Sequence, residues 1–149
     1  MENKTKIEQF ICNSESETKE LAKKLASNLK DNDILVLNGE LGAGKTVFMS
    51  GIASYFGIES QVSSPTFTIV NEYTTNENKK IFHFDVYRLD DSEEFINKIG
   101  TDYFEDGISI IEWGNIIKDI LPRRTIYINI EKSDENPNKR IIKIKRSQK

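Results

Sequence analysis

Residues 39–46 have the composition and spacing of a loop that binds phosphate groups. They read Gly-Glu-Leu-Gly-Ala-Gly-Lys-Thr and match the Walker A pattern G-x-x-x-x-G-K-T in full. Glycines let the chain wrap so that consecutive backbone N–H groups point inward at phosphate oxygens. Lys45 adds a full charge near the β- and γ-phosphates, and the hydroxyl of Thr46 is a ligand for Mg²⁺. These residues predict a P-loop that binds a nucleoside triphosphate, and we expect ATP with Mg²⁺.

Two carboxylates at the ends of apolar strands are candidates for the second Mg²⁺ anchor that a P-loop needs. Alternation through residues 81–85 places His83 and Asp85 on one face of a strand, with Asp85 at its end. Glu112 likewise follows an apolar run over 108–111. Either acid alone is equally typical of a surface turn. Beside a P-loop we expect both to act, one holding the metal or its water and the other orienting the attacking water. We therefore predict that the catalytic residues are Lys45, Asp85 and Glu112.

Three other features lie close to these acids in the sequence. His83, the single histidine, is more typical of a packed, hydrogen-bonded strand residue than of a catalyst. The hydroxyl of Thr66, in Ser64-Pro-Thr66, fits a loop that senses the γ-phosphate, and it fits equally a proline turn that begins a strand. Trp113 directly follows Glu112, and we expect its ring at the rim of the site.

Two charged segments favour solvated surfaces over binding sites. The acidic stretch 90–106 is interpreted as a partly helical, solvated face rather than a partner site. A basic C-terminal tail can bind RNA phosphates, but no aromatic residue interleaves with this one. We therefore favour a solvated strand edge, where lysines oppose aggregation. The basic residues concerned are Lys139, Arg140, Lys143, Lys145, Arg146 and Lys149.

The elements that must position these residues alternate between strand and helix patterns. Residues 34–37 are apolar throughout, as in a strand buried on both faces of a parallel sheet. A helix predicted over 45–56 follows the P-loop and presents its N-terminus to the same phosphates. An earlier helix is predicted over 16–30, where Ser14 and Glu17 have the spacing of a capping box.

The remaining strands predict a mixed sheet. Residues 67–73 and 81–86 alternate on either side of a polar turn and indicate a hairpin. Other strands are predicted over 6–12, as an edge strand, and over 108–111, 126–130 and 141–144. The pattern is that of an α/β protein, a single-domain P-loop NTPase fold with a mixed parallel and antiparallel sheet flanked by helices.

Composition narrows the class of protein further. A chain of 149 residues with 37% hydrophobic and 30% charged residues is typical of one globular domain, here residues 1–149. The formal net charge of −3 requires any nucleic-acid contact to come from a local patch or a partner. The single cysteine, Cys12, cannot form an internal disulfide. No segment approaches the roughly 18 apolar residues of a membrane span, so we expect a cytoplasmic protein.

Four blocks occur in a fixed order along the chain. They are Gly-Glu-Leu-Gly-Ala-Gly-Lys-Thr at 39–46, Ser-Pro-Thr-Phe at 64–67, His-Phe-Asp-Val-Tyr-Arg-Leu at 83–89 and Ile-Glu-Trp at 111–113. The P-loop alone is generic, but the combination is specific. Together the blocks resemble the TsaE family, the ATPases of bacterial tRNA threonylcarbamoyladenosine biosynthesis, and the similarity covers about residues 8–145.

The resemblance implies a small P-loop protein that binds ATP or ADP with Mg²⁺ and hydrolyses ATP weakly when alone. It implies two partner proteins, TsaB and TsaD, with tRNA engaged through their complex. In that family's system, TsaD transfers a threonylcarbamoyl group to N6 of adenosine 37 in tRNA. The resemblance assigns to the ATPase the resetting of this complex between turnovers.

By position, the resemblance also assigns site residues. The phosphate-binding positions are Gly42, Ala43, Gly44, Lys45, Thr46 and Val47. The resemblance assigns Thr46 and Glu112 to the metal and Asp85 to a second acidic motif. It assigns Thr66 to a switch-like loop and Trp113 to the position beside the metal-site glutamate. Lys139 or Arg140 corresponds to a basic residue that approaches the nucleotide.

The sequence departs from the family pattern at one place, and it leaves two alternative functions open. Gly114-Asn115 stands where many members of the family have proline and a glutamate or glutamine, which leaves the role of that polar side chain open. The chain has no Asn-Lys-x-Asp guanine selector, which argues against a GTPase. The alternatives are a small-molecule kinase, although no long arginine-bearing lid is evident, and a nucleotide-gated binding module with negligible hydrolysis.

Overall fold

The computed structural model describes residues 4–39, 44–58, 70–86 and 89–148. Within these ranges the strands are β1 (Lys4–Cys12), β2 (Ile34–Gly39), β3 (Val70–Thr74), β4 (Lys80–Asp85), β5 (Ile108–Glu112), β6 (Ile126–Lys132) and β7 (Arg140–Gln148). The helices are α1 (Glu15–Ala26), α2 (Lys45–Phe56) and α3 (Ser92–Lys98), with 3₁₀ helices at Asp102–Glu105 and Gly114–Ile120. None of the helices in these ranges is long and apolar enough to cross a membrane.

All the strands join one sheet in the order β1-β7-β6-β2-β5-β4-β3. Its centre is parallel, because β2 pairs in parallel with β6 and β5, and β5 pairs in parallel with β4. Its margins are antiparallel, through β3 with β4 on one side and β7 with β6 and β1 on the other. The sequence prediction of an α/β fold with a mixed sheet is confirmed.

Each face of the sheet buries its own core cluster, because successive side chains of a strand point to opposite faces. Leu35 and Leu37 of β2 pack with α1 and α2 in the first cluster. Ile34 and Val36 pack with α3 and the 3₁₀ helices in the second cluster. This explains the uninterrupted apolar run of β2, which must satisfy both layers. Cys12 lies in the first cluster, where burial raises the pKa of its thiol.

Helix α1 supports α2, the helix that follows the P-loop. A Cβ atom added to Gly51 of α2 would lie 2.5 Å from the carbonyl oxygen of Lys19 and 2.6 Å from the Cβ of Ala22, both on α1. Only glycine permits so close an approach of the two helices. Further along α2, Gly57 ends the helix in the left-handed conformation.

The start and the end of α1 differ in detail from the sequence prediction. The Ser14 hydroxyl accepts the N–H of Glu17, as predicted, but the Glu17 carboxylate accepts the N–H of Asn13 rather than that of Ser14. The helix ends at Ala26 instead of 30. The side chains of Ser27 and Asn28 both donate to the carbonyl of Lys24, and these local bonds compete with another helical turn.

The prediction that the basic C-terminal segment is a strand edge is wrong. Strand β7 lies inside the sheet between β1 and β6, and β1 forms the edge, as predicted for residues 6–12. Alternation explains both the charge and the position: Ile142 and Ile144 enter the first core cluster, while Lys143 and Lys145 point to the other face. Lys149 lies outside the described residues.

Candidate functional site

Three neighbouring parallel strands bring their carboxyl ends to the same edge of the sheet. Leu37 of β2 is in register with Glu112 of β5, and Glu112 is in register with Asp85 of β4. Leu37 belongs to the core cluster beneath α1 and α2, so both acids are on the face that carries the P-loop helix. The backbone N–H of Val86 donates to the carbonyl of Glu112 (3.3 Å) and ties the two strand ends together.

The N-terminus of α2 has the properties of an anion site. Gly44 precedes the helix at φ +109°, a conformation that L side chains rarely adopt, and no side chain caps the first turn. The first turn also contains no acidic residue. Its N–H groups and the positive end of the helix dipole are therefore available to phosphate. Thr46 is exposed and Val47 half-buried on this turn.

Some predicted site residues lie outside the described part of the chain. These are Gly42 and Ala43 of the P-loop, and the segment 64–67 with Thr66. The described ends of the loop are Gly39, the last residue of β2, and Gly44, which precedes α2.

Lys45, the first residue of α2, lies against the tryptophan that follows Glu112. Its Nζ is 4.5 Å from the centre of the Trp113 ring, within the range of a cation–π contact. Trp113 has φ +65° and is 42% exposed. A left-handed conformation is uncommon for a bulky residue and is found where surrounding structure or function requires it. The structure thus brings Trp113 and Lys45 together at the rim that the sequence predicted for the ring.

The side chain of Glu112 is hydrogen-bonded to His83, the single histidine of the sequence. His83 Nε2 lies 2.7 Å from Glu112 Oε2, and the exposed fractions of the two residues are 1% and 8%. The interpretation of His83 as a packed, hydrogen-bonded strand residue agrees with this arrangement. The hydrogen bond to the candidate metal-site acid was not foreseen, although the alternation of β4 already placed His83 and Asp85 on one face.

Arg140 approaches the P-loop from the opposite side. A Cβ atom added to Gly44 would lie 3.8 Å from Arg140 Nε. The Nη1 group of Arg140 donates to the carbonyls of Pro137 (2.7 Å) and Lys139 (3.0 Å), which hold the guanidinium in place. The basic C-terminal residues, Arg140 among them, were predicted to be solvated, and only the resemblance to the TsaE family assigned Lys139 or Arg140 to the nucleotide. The structure puts Arg140 beside Gly44, the described end of the candidate loop.

Two asparagines connect the end of β2 to the turn after Trp113. Asn38 Nδ2 donates to Asn115 Oδ1 at 3.3 Å. Asn115 belongs to the dipeptide at which the sequence departs from the family pattern, and its side chain here contacts the residue before Gly39. A groove of about 640 Å³ begins here and follows the ends of β2 and β6. Asn38, Gly39 and Asn129 are among the residues that line it.

The side chains present fit Mg²⁺ held together with phosphate. Within the described ranges, no group of three or more His, Cys, Asp and Glu residues could hold a metal ion. Mg²⁺ does not need such a cage, because it commonly binds one or two carboxylates, substrate phosphates and water. Asp85 and Glu112 are two carboxylates aligned across adjacent strands. Trp113, the residue after Glu112, contacts Lys45 in the first turn of α2, the turn that carries the exposed Thr46.

The fold is that of a P-loop NTPase. Its parallel strand β2 is followed by α2, which Gly44 precedes, and Asp85 and Glu112 are aligned on the neighbouring strands. Residues 12–142 match the family described as threonylcarbamoyl adenosine biosynthesis protein TsaE. The chain therefore belongs to the TsaE family.

Individual relatives agree with this membership. The Rickettsia felis protein named tRNA threonylcarbamoyladenosine biosynthesis protein TsaE is 44% identical over 128 residues, covering 85% of this chain and 74% of the relative. A Bacillus subtilis protein of the same name is 41% identical over 122 residues, with coverages of 80% and 75%. The solved structure of Bacillus subtilis YdiB superposes with a TM-score of 0.75 at 31% identity and covers 96% of this chain and 87% of that one.

Proposed function

We propose that this protein is a Mg²⁺-dependent ATPase of tRNA threonylcarbamoyladenosine biosynthesis. It acts with TsaB and TsaD and resets their complex between rounds of transfer to adenosine 37. The observation that carries the ATPase proposal is the contact of Lys45, the first residue of α2, with Trp113, which directly follows Glu112 at the sheet edge. The tRNA pathway rests on the names of the relatives.

Binding of ATP is assigned to the P-loop and α2. The N–H groups at the start of α2 and the Lys45 ammonium receive the phosphates, and Val47 follows within the same helical turn. Lys45 exchanges its contact with the Trp113 ring for the phosphate oxygens. The groove beside Asn38 and Asn129 is large enough to accommodate the nucleoside.

Thr46 and one of the two acids, Asp85 or Glu112, are the side chains that would hold Mg²⁺. Bound there, the ion neutralises charge on the phosphates. Lys45 and Arg140 flank Gly44 and stabilise negative charge that develops on the departing phosphoryl group. The carboxylate not engaged with the metal accepts a hydrogen bond from the attacking water and orients it. Catalysis is then mainly positioning and electrostatics.

The coupling to partners is assigned to the segment around Thr66. Its hydroxyl contacts the γ-phosphate, and its position changes when that phosphate leaves, which TsaB and TsaD detect. This assignment comes from the sequence and from the resemblance. Contact with tRNA is indirect, through the partner complex.

The test is ADP release from ATP, measured for the protein alone and then with purified TsaB, TsaD and tRNA. We expect slow release alone, faster release with the partners, and loss of both on removal of Mg²⁺ with EDTA. ADP release that depends on a small acceptor molecule would replace the proposal with a kinase. Tight ATP binding without turnover under any of these conditions would leave a nucleotide-gated binding module.

Replacing Arg140 with glutamine is expected to lower ATP turnover by about 10- to 100-fold, the size of one charge-assisted hydrogen bond to phosphate. The measurement is ADP release at saturating ATP, with the thermal unfolding midpoint recorded to confirm the fold. Lys143→Gln is the matched control, since Lys143 lies on the same strand, points to the other face and pairs with Glu131 at 3.5 Å. Equal rates for the two variants would remove Arg140 from the site.

A further inference from the structure

The contact between His83 and Glu112 joins two strands directly beneath the candidate metal site. His83 on β4 is in register with Ile110 on β5, two residues before Glu112, so the imidazole and the carboxylate lie on one face. The distance of 2.7 Å between Nε2 and Oε2 is short for a hydrogen bond to nitrogen, as expected when the acceptor is charged. Both side chains are buried, so water does not compete strongly for the bond.

The chemistry of the partners fixes the direction of this bond. A carboxylate can only accept, so the proton of a neutral imidazole resides on Nε2. Nδ1 is then a bare acceptor, and it is buried without a hydrogen-bond partner in the part of the chain that the structure describes. Tyr73 of β3 lies beside the ring, with centroids 6.5 Å apart. Among the described residues, Glu112 is thus the one polar anchor of the imidazole, and packing holds the rest of the ring.

We propose that His83 is a positioning residue for Glu112, an inference that rests on the ATPase function proposed above. The imidazole fixes Oε2 and so sets the plane of the carboxylate, whose two oxygens together offer about four lone-pair sites. The remaining acceptor capacity is directed to the metal or its water. Because His83 is 1% exposed, it acts through Glu112 and does not touch the nucleotide.

A partner that orients a metal-site ligand typically contributes about 10- to 100-fold to activity or metal affinity. We therefore expect His83→Phe, which keeps a buried ring and loses the donor, to lower kcat for ADP release by about 10- to 100-fold. The KM for ATP should change by less than about 3-fold, because the phosphate contacts of α2 are untouched. His83→Gln restores an N–H donor and should recover part of the loss.

Combining His83→Phe with Glu112→Gln in a double variant distinguishes a role of His83 in positioning Glu112 from a role in packing. If His83 acts through Glu112, His83→Phe should have little further effect on kcat in the Glu112→Gln background. Ile110→Val is the matched control, because Ile110 is in register with His83, fully buried and without a polar group. Independent, multiplying losses in the double variant, or an equal loss of kcat in Ile110→Val, would overturn the proposal.

A second measurement is independent of ATPase activity. Since the chain contains one histidine, selective ¹⁵N labelling of histidine in tag-free protein gives the NMR signals of one imidazole. We expect the Nε2-protonated tautomer in the wild type and a mixture of tautomers, or faster exchange of the Nε2 proton, in Glu112→Gln. Mixed tautomers in the wild type would refute the hydrogen bond. The expected spectra without ADP release under any condition would instead refute the ATPase function and leave the contact as structural.

Discussion

Replacing Lys45 with alanine is expected to lower ADP release from ATP by at least about 10²- to 10³-fold, as does removal of a single preorganised donor from other active sites. Lys45 is the first residue of α2, and its ammonium lies beside Trp113 at the rim of the site. No other lysine belongs to the described first turn of this helix, and the nearby Arg140 guanidinium is held by the carbonyls of Pro137 and Lys139. The measurement is steady-state ADP release, together with binding of a fluorescent ATP analogue.

The control for Lys45→Ala is Lys79→Ala. Lys79 precedes β4 at the amino end of the parallel strands, where its Nζ pairs with Asp31 at 3.3 Å. Both of these side chains are largely exposed, so loss of the pair should change stability by less than about 1 kcal/mol and leave turnover unchanged. Hydrolysis by Lys45→Ala at the rate of the Lys79→Ala control would contradict the P-loop assignment.

The second large effect is expected from Phe84→Ala, which should lower the free energy of unfolding by about 3–5 kcal/mol. Phe84 is fully buried between His83 and Asp85 in β4 and points to the face opposite the site. Its ring contacts other aromatic rings at centroid distances of 5.6–6.5 Å, those of Phe82, Phe95, Tyr103 and Phe104. Removal of the ring leaves a cavity at the centre of this cluster and weakens the attachment of α3 to the sheet.

Chemical denaturation monitored by circular dichroism measures the effect of Phe84→Ala. The loss is a large part of the roughly 5–15 kcal/mol that stabilises a typical domain, so the site should lose its shape near physiological temperature. Tyr55→Ala is the control, since Tyr55 is 47% exposed near the end of α2 and should cost well under 2 kcal/mol. A midpoint for Phe84→Ala equal to that of the control would show that the aromatic cluster does not stabilise the second core layer.

Individual strands and helix starts could be predicted from the sequence because they depend on residues close together in the chain. The uninterrupted apolar run of β2 indicated its burial on both faces before any pairing was known. The alternation predicted for β4 placed His83 and Asp85 on one face, but the strand is buried on both faces, because Phe82 and Phe84 enter the second core cluster. The Walker A pattern placed the start of α2 at Lys45, where the structure has it. These patterns also placed Asp85 and Glu112 at strand ends. Given parallel strands, the two acids had to meet at one edge of the sheet.

What the sequence did not reveal depends on pairing between distant segments. The basic residues of β7 suggested an exposed edge, because a single sequence does not say which strand flanks which. The place of Arg140 beside Gly44 depends on that pairing and on the turn that anchors its guanidinium. The bond between His83 and Glu112 needs the exact register of β4 with β5, in which a slip of one residue reverses every side chain.

The pairing of β1 with β7 also determines when the site becomes complete. These are the first and the last strands of the described chain, so β1 has no partner in the sheet until β7 has been synthesised. Such long-range closure is a slow kind of contact to form. Arg140 begins β7, and a chain interrupted before that strand carries the Walker A loop without the guanidinium beside it. An unfinished chain therefore lacks the guanidinium to which the proposed ATPase function assigns a role at the phosphates.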